Sequence, residues 1–184
     1  ILPYLDGAPL HLRMGYYLNC AQCHLGLGDG ERALDLIKRA EALCDTTANV
    51  IYQTLVWPMV GRVYIALQRP AEARAVFEQM LAVLGEHGSP WLRGATRVGI
   101  AHALLIEGDE IRARDLLRSG LAELRQTRYF WNATLFSTYD PTLLAEALRN
   151  DIEPDYVRHV IRHRGIGGLD PDLASWPWAV RLHA

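Results

Sequence analysis

The sequence predicts an all-α fold, a superhelical stack of antiparallel helix pairs with a C-terminal helical cap and an extended tail. Two observations carry that expectation. Ala33, Ala73 and Ala113 recur in matching contexts forty residues apart, and a fixed period of this size is the signature of a repeat array. Around each alanine the same columns recur. Five residues before it stand Gly28, Gln68 and Gly108, and four after it Ile37, Phe77 and Leu117. Nine before are His24, Tyr64 and Leu104, twelve before Ala21, Gly61 and Ala101, thirteen before Cys20, Val60 and Ile100. The second observation is the spacing inside a unit, which is that of helices with one buried face.

In the first unit, Tyr17, Cys20, Ala21 and His24 follow the i, i+3, i+4, i+7 pattern of such a helix. Gly28 is placed to end it with a left-handed cap. Asp29 is placed to cap the next helix, whose stripe is Ala33, Leu36, Ile37 and Ala40. The second unit opens its second helix at Pro70, where a missing N–H is harmless. Small residues in the alanine and glycine columns let paired helices approach closely. The repeats are expected over about residues 14–47, 54–87 and 94–127.

Beyond the third repeat the pattern changes. Tyr129, Phe130 and Trp131 are expected to seal the apolar end of the stack. Asp140-Pro141 marks a helix start, with Leu143, Leu144, Ala147 and Leu148 on one face. Glu153-Pro154 opens another, with Tyr156, Val157, Val160 and Ile161 inward and Arg158, His159, Arg162 and His163 outward. These capping helices, 140–150 and 154–164, complete a repeat domain spanning 1–164. Residues 165–184 read as a linker, broken by Gly165, Gly167, Gly168, Pro171 and Pro177. It leads into the first strand of a further domain, where Val180 and Leu182 alternate with Arg181 and His183.

The repeat columns resemble the tetratricopeptide repeat. Trp57, Val60-Gly61, Tyr64, Ala73 and Phe77 match that family's pattern. Gln68 replaces its turn glycine and Met80 its second alanine, while the first unit departs at Cys20 and His24 and the third at Arg97 and Gly120. The forty-residue spacing also exceeds the usual 34. The second half resembles large bacterial transcriptional regulators related to the maltose-regulon activator. The run LLAEALRNDIEPDYVRHVIRHRGI (Leu143 to Ile166) and the segment from Trp176 to His183 carry that resemblance. Gly165-Ile166-Gly167-Gly168 departs from it in the linker. The resemblance implies a signal-transduction ATPase module upstream, and downstream a winged helix-turn-helix with a bacterial transcriptional activator domain. The chain would then be an excised piece whose DNA-reading element follows Ala184.

Composition sets further bounds. Net charge is −2 and half the residues are apolar, so no global basic field draws the chain to nucleic acid or membrane. No apolar run is long enough to span a bilayer. Three cysteines, an odd number without a disulfide-like framework, fit a reducing, cytoplasmic setting.

Cys20-Ala21-Gln22-Cys23-His24 spells the C-x-x-C-H signature of c-type haem attachment. It lies wholly within the first repeat helix, in columns that Val60, Tyr64, Ile100 and Leu104 fill as core, and free cysteine commonly behaves as a small buried hydrophobe. No second Cys/His pair follows with the spacing of a zinc site. No cofactor, metal or catalytic residue is therefore expected. Asp109-Glu110, Glu41 and Glu72 sit where helix starts and exposed faces place charge. Gly165 to Gly168 lacks the preceding strand and Lys-Ser/Thr of a phosphate loop. The basic stretch Arg158 to Arg164 reads as a solvated helix face.

Recognition is the better-motivated role, since stacked helix pairs curve into a binding surface. Eleven residues before each anchor alanine stand Gln22, Arg62 and His102, a polar ladder that the family resemblance directs toward the groove. Leu18, Ile65, Val98 and Leu105 are expected to flank it. The alternative is that all seven are ordinary surface. The expected function is a sensor and scaffold domain that takes an inducer or partner protein in its groove and couples it to the ATPase and DNA-binding domains. The competing reading is a plain protein–protein adaptor with no transcriptional role.

Overall fold

A computed structural model describes residues 5, 7–45, 50–127, 140–164 and 166. The aromatic cluster Tyr129 to Trp131, most of the expected linker and the strand at 178–184 lie outside them. The described residues are all-α, with no strand among them. The helices are α1 (Leu10–Gly26), α2 (Gly30–Asp45), α3 (Val50–Ala66), α4 (Pro70–Leu84), α5 (Pro90–Glu107), α6 (Glu110–Thr127), α7 (Pro141–Arg149) and α8 (Pro154–Arg164). Their contacts fall into two compact units, Ile1–Val83 and Leu84–Ala184.

One turn closes the pairs α1–α2, α3–α4 and α5–α6. At each, the residue in the glycine column is left-handed: Gly28 at φ 77°, Gln68 at φ 56° and Gly108 at φ 87°. Its N–H donates to the carbonyl three residues back, on Leu25, Ile65 and Leu105. The next residue's N–H reaches five back, to His24, Tyr64 and Leu104, at 2.9, 2.8 and 2.9 Å. These two bonds define the Schellman closure, which satisfies carbonyls that a helix end leaves without partners. Asp29 and Asp109 then cap the following helices, accepting from the backbone N–H of Arg32 and Arg112 at 3.2 and 3.3 Å. Pro70 begins α4 as expected.

Packing follows the columns. Ala33, Ala73 and Ala113 are fully buried, as are Ile37 and Phe77, with Leu117 1% exposed. At Gly61 an added Cβ would lie 2.7 Å from Phe77 Cε1 and closer still to its Cε2 and Cζ. The aromatic thus occupies the space the missing side chain leaves. In the second unit Gly94 and Gly120 face each other across α5 and α6. A Cβ on either would stand 2.8 Å from the other's carbonyl oxygen. Gly120, a departure from the family pattern, therefore allows backbone-to-backbone approach. Pro58 lies inside α3 and is buried. It removes the helical hydrogen bond to the carbonyl of Thr54, and the helix runs on through it.

The last two helices repeat the device. Asp140 caps α7, accepting from the N–H of Thr142 at 2.8 Å. Asp151 (φ 51°) takes the left-handed position after it. The N–H of Ile152 donates to the carbonyl of Ala147 at 2.8 Å. The closure is again of Schellman type, with one more residue before the next helix. Val157 and Ile161 hold the places that Ala33 and Ile37 hold in the first pair, 0% and 1% exposed. The segment expected as a pair of capping helices is thus built on the repeat's own turn. Leu143, Leu144, Ala147, Leu148, Tyr156, Val157, Val160 and Ile161 are all buried as expected. Arg114 on α6 joins Glu146 on α7 at 2.8 Å.

Candidate functional site

Within the first unit α1 packs on α2 and on α3, so the first helices of two consecutive pairs lie side by side. Gln22 and Arg62 meet there: Arg62 Nη1 donates to Gln22 Oε1 at 3.0 Å, and the contact is part-buried. Two members of the expected ladder, forty residues apart in sequence, are therefore in direct contact. An arginine fork presents several donors in fixed geometry and suits carbonyl or carboxylate recognition.

The third member differs. His102 lies in the second unit and is only 7% exposed, and its Nδ1 finds no hydrogen-bond partner among the described residues. Burial pushes its pKa below the ordinary histidine value, with the Asp140 carboxylate partly opposing that shift. His102 is thus a neutral core histidine rather than groove surface. Ile65 and Val98 are 8% and 0% exposed and belong to the core as well. Leu18 and Leu105 are half-buried. A sequence column fixes position along the helix, but exposure depends on what packs above it.

The C-x-x-C-H residues are placed differently from expectation. Cys20 and His24 are half-buried and Cys23 is exposed; in the same columns Val60, Ile100 and Leu104 are buried, while Tyr64 is half-buried like His24. His24 Nδ1 sits 3.3 Å from Asp29 Oδ2, and the neighbouring Cys20 side chain raises the Tyr16 phenol pKa. No group of three or more His, Cys, Asp and Glu side chains suited to a metal ion occurs among the described residues.

The first unit also holds a cleft that was not visible in the sequence. The end of α2, the start of α3 and the middle of α4 enclose a cleft of about 310 Å³ lined by Glu41, Cys44, Asp45, Gln53, Val56, Trp57 and Gln79. Glu41, expected on an exposed face, is half-buried here. Burial raises its pKa, the neighbouring Asp45 charge adds to the rise, and Lys38 opposes it. Burial also pushes the Cys44 thiol up to about 11. Only Asp45 following Glu41 by one helical turn hinted at the site. The other walls come from two further helices, which no local pattern joins to α2.

Glu72 pairs with Arg69 and Glu110 with Arg114. On α8, Arg158 lies 3.5 Å from Asp155, and His159, Arg162 and His163 are exposed. No described helix is long and apolar enough to cross a membrane. No family model matches the chain, and no curated protein or solved structure matches it either.

Proposed function

We propose that this chain is the sensor and scaffold part of a cytoplasmic transcriptional regulator of the tetratricopeptide-like, maltose-regulon-activator-like kind. It receives an inducer or partner protein and passes the change to ATPase and DNA-binding domains elsewhere in the same polypeptide. The observation that carries the recognition half is the Arg62–Gln22 contact, a polar pair set across the first helices of consecutive repeats. Repeat arrays use such rows of first-helix side chains to bind other molecules. The transcriptional half rests on the resemblance of the segments Leu143 to Ile166 and Trp176 to His183.

The test is genome-wide DNA occupancy of the whole polypeptide, tagged in its native cell. Enrichment at discrete promoters is expected. The chain of 184 residues on its own should bind DNA neither specifically nor with the salt dependence that phosphate contacts produce. Absence of any enrichment would overturn the transcriptional reading and leave an adaptor.

A further inference from the structure

We propose that the cleft between α2, α3 and α4 binds a small organic cation, a ligand carrying an ammonium or guanidinium group. The inference is independent of the Gln22–Arg62 pair and stands or falls without it.

Charge pairing in the first unit is the starting observation. Asp35 sits between Arg32 and Arg39, Glu72 is held by Arg69, Glu78 by Arg74, and Asp29 faces His24. Glu31, Glu41 and Asp45 form no such ion pair among the described residues, and of these Glu41 and Asp45 line the cleft. These two are four residues apart on one helix, where side chains share a face and like charges repel. Lys38 offsets part of that repulsion, and a cation placed in the cleft would remove the rest.

The rest of the lining fits the same ligand. Among the described lining residues none is cationic, so an anion would meet two carboxylates with no opposite charge to offset them. Gln53 and Gln79 bring amide oxygens that accept hydrogen bonds from N–H donors. Trp57, 8% exposed, and the buried Val56 add only a little apolar surface to a lining that is mostly polar, as a strongly hydrated cation requires. A volume of about 310 Å³ stands at the small end of ligand pockets, roughly 300–1,000 Å³, which suits a single small molecule. Cys44 stays a protonated thiol at neutral pH, and the thiolate is the nucleophilic form, so the site binds without covalent chemistry.

Isothermal titration of the 184-residue chain with agmatine tests this, with N-butylurea as its uncharged counterpart and glutarate as an anion. Agmatine should bind with one-to-one stoichiometry and more weakly at high salt, while the other two should not bind. Glu41→Gln and Asp45→Asn, near-isosteric changes, should each weaken binding about threefold and together about tenfold. Circular dichroism of each variant checks that the fold is kept. Affinity should also fall as pH drops through the raised Glu41 pKa, since protonation removes the attracting charge. Three results would overturn the proposal: no saturable agmatine binding up to about 10 mM, equal binding of N-butylurea, or undiminished binding by the folded double variant.

Discussion

Replacing Gln68 with glycine should make the protein more stable, although it removes a side chain from a turn. Gln68 is held at φ 56°, where its Cβ crowds the following carbonyl at a cost of about 1–2 kcal/mol for an L-residue. Glycine takes that conformation without the penalty. The greater freedom of a glycine in the unfolded chain returns about 0.4–1 kcal/mol of the gain. The contact from Gln68 Nε2 to the Ile65 carbonyl, 3.5 Å long, is too stretched to add much. The net expectation for Gln68→Gly is about 0.5–1 kcal/mol of added stability. A kcal/mol corresponds to about 2–4 °C in melting temperature for a chain of this size. Gly28→Gln and Gly108→Gln, at φ 77° and 87°, should lose stability by a similar amount. Urea unfolding followed by circular dichroism measures all three, and an unchanged slope keeps the comparison to stability alone. If Gln68→Gly is destabilising while the other two are neutral, the three turns do not share the left-handed closure described above.

Two further outcomes follow from the packing. Ala73→Leu inserts a branched side chain at a fully buried point of α4, and overpacking of this kind should cost roughly 1–3 kcal/mol in urea unfolding. His102 gives a pH dependence: its folded pKa is depressed by burial, whereas the unfolded chain titrates near the ordinary value of about 6.5. Its neutral form thus supports the fold above that value, and the support is lost as pH falls through it toward the depressed folded pKa. Stability measured across that range should fall less steeply for His102→Leu than for the wild type, and parallel curves would contradict the assignment.

The fold was legible because the repeat is written in residues with few substitutes. A left-handed cap selects glycine and a close helix contact selects alanine, so columns built on them survive divergence. Gln68 shows that the geometry persists where the marker is lost, since the five-back hydrogen bond of Arg69 (2.8 Å) fixes the turn without a glycine. The final helix pair escaped the period because its turn carries one extra residue and Val157 replaces the anchor alanine. Legibility was poorer at the candidate site. Gln22 and Arg62 are hydrogen-bonded to each other, a contact the column did not specify. His102, Ile65 and Val98 instead went into the core, because exposure within a column depends on neighbouring helices. The cleft around Glu41 and Trp57 joins three helices, and that Glu41 and Asp45 have no ion pair among the described residues appears only in the fold.

The most direct test of the proposed function is the response of the whole regulator when Arg62 is replaced by alanine. Transcription from its occupied promoters would be measured with and without the inducing condition, alongside the melting temperature of the isolated chain. The account expects the response to be lost while stability shifts by no more than about 1 kcal/mol, near the range for a side chain that is not fully buried. A normal response from the folded Arg62→Ala protein would contradict the claim that recognition runs through the first-helix surface where Arg62 meets Gln22.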